Sequence, residues 1–376
     1  MPIGYLITTT LAGLLTFFAV LAPRTTRARR STLRNWLGFM TNELPGILFV
    51  WLLASTLLAW SEGDLGSPVG LVALAVAVVT SAGLALAARR GAQAGAVVQR
   101  ALAESLPGAP VSPVGRPPVV SSLLAPFAVR RRDVERLADI AYGDAGRLNT
   151  LDVYRRRSRP SGCPTLVYLH GGGFRSGRKS REARLLLYRL ASRGWVCVSA
   201  NYRLSPAARF PDHLVDAKKV IAWMREHGPR YGADASTLVV AGSSAGGNLA
   251  ATAALTPNDP RFQAGFEDAD TSVTAAVCLY TYYGSYHGGD PGQASSPLAY
   301  VHADAPPFFV AHGDRDMLVP AADAREFVRT LGAVSSNPVV YAELPGGQHT
   351  FDLYRSLRFG HVVAGIEAFA EWARAA

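Results

Sequence analysis

The sequence predicts an α/β fold, a mostly parallel sheet covered by helices on both faces, preceded by an N-terminal transmembrane helical region. Two observations carry this. From residue 148 onward, short continuous apolar runs alternate with helical stretches, as buried parallel strands and their crossover helices do. Before residue 90, three long uncharged apolar runs follow one another.

The chain has 376 residues, 49% of them hydrophobic and 18% charged, with a formal charge of +10. That is too apolar for disorder. The excess charge is shared evenly: residues 1–100 carry 8 Arg and Lys against 3 Asp and Glu, and the remainder carries 30 against 25. With no dense basic stripe interleaved with aromatics, nucleic acid is not an expected partner. Cys163, Cys197 and Cys278 lie far apart without a Cys-x-x-Cys pair, so buried free thiols are expected, not a disulfide framework or zinc site.

Residues 3–22, "IGYLITTTLAGLLTFFAVLA", carry no charge, and 20 helical residues reach about 30 Å, enough to span a bilayer. Residues 44–60 form a second, shorter candidate, with Trp36, Trp51 and Trp60 in or beside it. Residues 69–88 form a third. The first run begins at residue 3 with no basic n-region, so a cleaved signal peptide is not expected. Arg24, Arg27, Arg29, Arg30 and Arg34 follow the first run, an acidic loop follows the second, and Arg89, Arg90 and Arg100 follow the third. The positive-inside rule then puts everything after 89 on the cytoplasmic side of a multi-pass cell-membrane protein. Losing the second span would reverse that orientation.

The expected organisation is a transmembrane region over 1–106, a linker with a possible amphipathic helix over 107–139, and an α/β catalytic domain over 140–376. Residues 107–126 are Pro-rich and read as a semi-rigid linker. "VRRRDVERLADIAYGD" (129–144) reads as an amphipathic or ordinary solvated helix. Strands are expected at 148–155, 165–170, 195–202, 237–242, 273–280, 308–313 and 339–344. Helices are expected at 181–193, 212–228, 245–255, 320–332 and 358–374.

In such sheets ligands bind beyond the carboxyl ends of the strands. After 165–170 comes "HGGGF", whose glycines let backbone N–H groups approach a ligand. After 237–242 comes "GSSAGG", a G-x-S-x-G turn that lifts the Ser244 hydroxyl to the rim beside a helix N-terminus. After 308–313 come Asp314 and Asp316, and after 339–344 comes His349 in a Gly-rich loop. A serine hydroxyl needs a base, and His349 offers one; a carboxylate from the Asp loop would fix the imidazole tautomer. The amides of Gly172, Gly173 and Ala245 are candidates for an oxyanion hole, where one donor can contribute about 10²–10³ in rate.

Together with "NYRLSP" (201–206), "FPDH" (210–213), "HGDRDMLVP" (312–320) and "GGQHTF" (346–351), these motifs make residues 140–376 resemble an α/β-hydrolase of the esterase/lipase type. The likeness is nearest the hormone-sensitive-lipase and carboxylesterase branches. It implies Ser244 as nucleophile, Asp316 of the H-G-x-x-D pattern as the acid, and His349 as the base. It also implies an oxyanion hole at Gly172, Gly173 and Ala245. No metal or organic cofactor is implied. Ser243 stands where many hormone-sensitive-lipase relatives carry Asp, and the Asp-loop context is shared with some peptidases. The substrate class is therefore more open than the mechanism.

Other polar residues read as structural. Ser243 belongs to the turn, Asp314 to its own loop, and Asp352 is too near His349 in sequence to orient it. His170 braces the oxyanion loop, His312 packs, and His361 lies on a helix surface. His213 and Asp216 cap or pack, while Asn201, Tyr202 and Arg203 knit loops together. Tyr280, Tyr282, Tyr283 and Tyr286 either line an acyl or alcohol pocket or fill core. The polar stretch 282–306 reads as a mobile flap. The expected activity is hydrolysis of apolar esters, small or lipid, through an acyl-Ser244 intermediate. Acyl transfer from the same intermediate, or a binding protein on a dead hydrolase fold, are the alternatives, and the oligomeric state is left open.

Overall fold

The computed structural model describes residues 2–21, 28–106, 125–286 and 293–376. Eight strands form one sheet in the order β1-β2-β4-β3-β5-β6-β7-β8. They are β1 (Val134–Ala141), β2 (Thr150–Arg156), β3 (Cys163–Leu169), β4 (Val196–Ala200), β5 (Ala233–Ser243), β6 (Ala275–Leu279), β7 (Phe308–Gly313) and β8 (Val339–Leu344). From β4 to β8 every pairing is parallel; β1 and β2 join antiparallel at one edge.

Alternate side chains on these strands enter two cores. Leu166 and Tyr168 face one with α5 (Arg184–Ser192) and α9 (Leu357–Ala375). Val167 and Leu169 face the other with α6 (Asp212–His227), α7 (Ala245–Leu255) and α8 (Ala321–Gly332). Burial on both faces explains why β3, β4, β6 and β7 read as unbroken apolar runs instead of alternating ones. All three cysteines are buried free thiols.

The expected helix over 129–144 is instead β1. Its apolar residues Val134, Leu137 and Ile140 recur every third position, which imitates a helix. A register shift between Leu137 and Ile140, with Asp139 at φ 60, turns Leu137 and Ile140 to the same face. Cross-strand ion pairs then fix the pairing: Arg136 to Asp152 at 2.6 Å and Arg155 to Glu135 at 2.8 Å.

The first hundred residues form α1 (Pro2–Val20), α2 (Ala28–Glu43), α3 (Pro45–Ser61) and α4 (Pro68–Ser105). Among the described residues, α1 and α4 are each long and apolar enough to cross a membrane. The expected second span is the shorter α3, which meets residues 36–43 of α2 at an 88° bend. Pro45 at the first turn of α3 explains the break, because Leu44 before it is driven out of the helical region. Small residues bring these helices close: a Cβ at Gly83 would stand 2.6 Å from Thr16 Cγ2. Large apolar side chains such as Leu14, Phe17, Trp51, Leu58 and Val79 point outward.

Helix α4 is one rod of 38 residues, about 57 Å long. Its second half buries Ala94, Val98 and Leu102 in the same core as β8 and α9. Sequence reasoning placed His361 on a surface; it is half-buried against α4, where a Cβ at Gly95 would meet its ring at 2.6 Å.

The Pro-rich stretch lies outside the described residues over 107–124, as do residues 287–292 of the expected flap. The base of that stretch is tied: Tyr286 N donates to Ser295 Oγ at 3.0 Å.

Candidate active site

Ser244 sits at φ 53, ψ −117, between the end of β5 and the start of α7. Such a backbone costs about 1–3 kcal/mol and needs its surroundings to hold it. Two glycines permit the approach: a Cβ at Gly242 would lie 2.1 Å from Gly246 O, and one at Gly246 would lie 2.1 Å from Leu169 O. Ser244 N donates to Leu279 O at 2.9 Å, tying the turn to β6. The unpaired first-turn amides of α7 therefore face the same rim as the Ser244 hydroxyl.

His349, on the loop after β8, places Nε2 3.0 Å from Ser244 Oγ. Its Nδ1 donates to Asp316 Oδ2 at 2.6 Å, which leaves Nε2 free to accept. Asp316 follows β7, and its Oδ1 accepts from Leu318 N and Val319 N at 2.8 and 2.9 Å. Burial opposes its ionisation, but the His349 charge and hydrogen bonds from His312 and His349 outweigh burial and hold the carboxyl well below its usual range. His312 is packed as expected, with Nε2 3.0 Å from Val319 O. Asp314 does not stay within its own loop; it accepts from Gly346 N at 2.6 Å and so links the Asp and His loops.

Gly172 and Gly173 lie at φ 133 and 61 beside Ser244, and both line the cleft with Ala245. His170 donates from Nδ1 to Gly171 O at 2.7 Å and stacks on Tyr202 at 4.4 Å, bracing this loop as expected. Burial lowers its pKa to about 4, so it is neutral at physiological pH. Glu182, which sequence reasoning passed over, accepts from Gly171 N at 2.5 Å. A lone acid in an Arg-rich segment was its only local signal.

Directly behind the nucleophile, Asp352 accepts from Ser243 Oγ at 2.7 Å, Tyr168 OH at 3.1 Å and Tyr280 OH at 2.5 Å. Burial raises its carboxyl despite these donors. Ser243 is thus structural, and a carboxylate meets it from 109 residues away.

A cleft of ≈ 590 Å³ opens over Ser244 and His349. Tyr280, Tyr282 and Tyr286 line it, with Tyr286 stacked on Phe174 at 3.7 Å. Tyr283 belongs to the core instead, stacked on Phe327 at 4.2 Å. His213 packs beside Phe174, and Asp216 pairs with Arg203 at 2.9 Å. Tyr202 OH donates to His170 O at 2.8 Å and Asn201 Nδ2 to Arg147 O at 2.9 Å, so these residues do knit loops together. Trp36, from α2, also lines the cleft, and no motif marked it.

A mostly parallel sheet whose carboxyl edge gathers a serine after β5, an aspartate after β7 and a histidine after β8 is the α/β-hydrolase arrangement. The BD-FAE family model matches residues 151–283 and 287–331. The "Probable carboxylic ester hydrolase LipM" of Mycobacterium tuberculosis is 39% identical, over 95% of this chain and 92% of its own length. The "Esterase LipQ" of the same organism is 40% identical over 64% of this chain and 63% of its own. The chain belongs to this carboxylic ester hydrolase family of α/β-hydrolases. Among solved structures, a "Truncated form of carbohydrate esterase from gut microbiota" shares the fold, with TM-score 0.56 and 19% identity over 65% of this chain and 99% of that one.

Proposed function

We propose that this protein is a membrane-anchored serine carboxylic ester hydrolase acting on apolar acyl esters through an acyl-Ser244 intermediate. The observation that carries the reading is the unbroken contact from Asp316 through His349 to Ser244 Oγ, at 2.6 and 3.0 Å. His349 Nε2 takes the Ser244 proton as Oγ attacks the ester carbonyl. Amides of Gly172, Gly173 and Ala245 stabilise the resulting oxyanion. His349 then protonates the departing alcohol, and water attacks the acyl-serine by the reverse route, restoring the hydroxyl. The buried, ionised Asp316 offsets the imidazolium charge formed twice in the cycle.

Anchoring through the N-terminal region is supported by α1 and α4 and by their outward apolar side chains. The cationic segment after α1 favours a cytoplasmic catalytic domain. On this reading residues 1–106 anchor, 107–139 connect and 140–376 catalyse, with the second half of α4 packed into the catalytic core.

A chain-length series of chromogenic esters on the wild type and Ser244→Ala tests the mechanism. Hydrolysis by the wild type, lost in the variant together with fluorophosphonate labelling, is expected. Activity surviving in Ser244→Ala would overturn it. Dominant transfer of the acyl group to an added alcohol would replace hydrolysis with acyl transfer.

A further inference from the structure

We infer that the N-terminal helical region completes the active site, with Trp36 forming a wall of the acyl cleft and Gln348 positioning His349; the inference rests on the esterase reading above. Gln348 immediately precedes the histidine. Its Nε2 donates to Phe18 O and Ala19 O, both at 3.2 Å, at the carboxyl end of α1. Those carbonyls have no partner within their own helix. Arg90 of α4 takes the next one, Val20 O, at 2.9 Å.

The same loop is held at three further points. Asn42 donates to Gly346 O at 2.8 Å. Arg358 donates to Pro345 O at 3.2 Å while paired with the buried Glu43 of α2. The Arg90 stem lies against Gly346, where a Cβ would stand 2.7 Å from its Cδ. The loop that carries the base is therefore braced from outside the catalytic domain, by α1, α2 and α4. Within the hydrolase domain the loop is also held by Asp314 accepting from Gly346 N, by Arg315 N donating to Gly347 O and by Asp316 on His349.

Trp36 reaches the same cleft as Ser244 and His349 from the rim. Arg181 lies over its ring at 5.6 Å. The helix beneath it is fixed: Phe39 stacks on Tyr354 at 5.7 Å, and Gly38 lies so close to α1 that a Cβ would meet Phe18 O at 2.7 Å. A half-exposed indole lining the same cleft as the Phe174–Tyr286 stack offers apolar contact to the far part of an acyl chain and none to an acetyl group. The cleft thereby selects esters of long-chain acids, which partition into the bilayer beside these helices.

The test uses the full chain in detergent micelles, with rates normalised to the fraction of Ser244 that a fluorophosphonate labels at completion. Trp36→Ala is expected to lower kcat/KM for a dodecanoyl ester about tenfold while changing that for an acetyl ester less than about twofold, because only contacts to the distal chain are lost. Should that variant not fold, Trp36→Leu carries the same comparison. Gln348→Ala and Gln348→Met, which both remove the donor, are expected to lower kcat about tenfold at nearly constant KM, and to slow labelling in parallel, since a base out of place costs the chemical step. A purely structural contact would lower the melting temperature and leave kcat per labelled site unchanged. If the wild type hydrolyses esters but these variants keep its chain-length profile and kcat, the inference falls and the esterase reading stands. If the wild type hydrolyses no ester and Ser244 resists the probe, the esterase reading itself fails.

Discussion

Ser243 Oγ donates to Asp352 Oδ2 across 2.7 Å, immediately behind the nucleophile. The same carboxylate receives Tyr168 and Tyr280, so three buried hydroxyls meet at one residue. Replacing Asp352 with Ala leaves the Ser243 and Tyr280 hydroxyls without this acceptor, while Tyr168 OH keeps Ser243 Oγ at 2.7 Å. We expect a loss of about 2–4 kcal/mol, with Asp352→Asn costing less because one oxygen remains. Urea unfolding measures this, and unaltered stability of Asp352→Ala would refute it.

Glu182 gives a pH signature. Burial, then the neighbouring Asp352 charge, push its carboxyl up to about 8. A carboxyl raised on folding binds more protons folded than unfolded, so stability declines as pH rises from the ordinary carboxylate range toward about 8. Glu182→Gln removes this slope. Melting temperatures across that range are expected to be flatter in the variant than in the wild type; parallel curves would contradict the assignment.

Asp316 has the opposite sign. Its carboxyl is held well below the usual range, so its contribution to stability is present above the unfolded value and is lost as pH falls through the folded one. Asp316→Asn should therefore flatten acid unfolding. It should also lower kcat by about 10⁴, since an amide no longer fixes the His349 tautomer. Steady-state kinetics on folded protein checks the second claim.

Gly172 and Gly265 separate backbone strain from crowding. Both have positive φ, but a Cβ at Gly172 would lie 2.0 Å from Ser176 O, whereas none of Gly265's surroundings comes within 4 Å. Gly172→Ala is expected to displace the amides beside Ser244 and cut kcat about 10²–10³-fold. Gly265→Ala should cost about 1 kcal/mol and leave kcat unchanged. Equal kinetic losses in both would show that strain, not displacement of the amides, is responsible.

The sequence by itself determined the strand–helix alternation, the apolar helices α1 and α4, and the loops that carry Ser244, Asp316 and His349. These features are local: glycine spacing forces a turn, and apolar runs declare burial, within a dozen residues. Tertiary structure decided what depends on distant partners. It made β1 a strand, because a bulge and pairing with β2 override a helix-like spacing. It brought Asp352 to Ser243, Glu182 to Gly171, and Trp36 and Gln348 into one active-site neighbourhood. No short stretch of chain encodes those meetings: the first two follow from the folding of the sheet's loops onto one another, and the last two from packing the end of α1 and α2 beside the loop that carries His349.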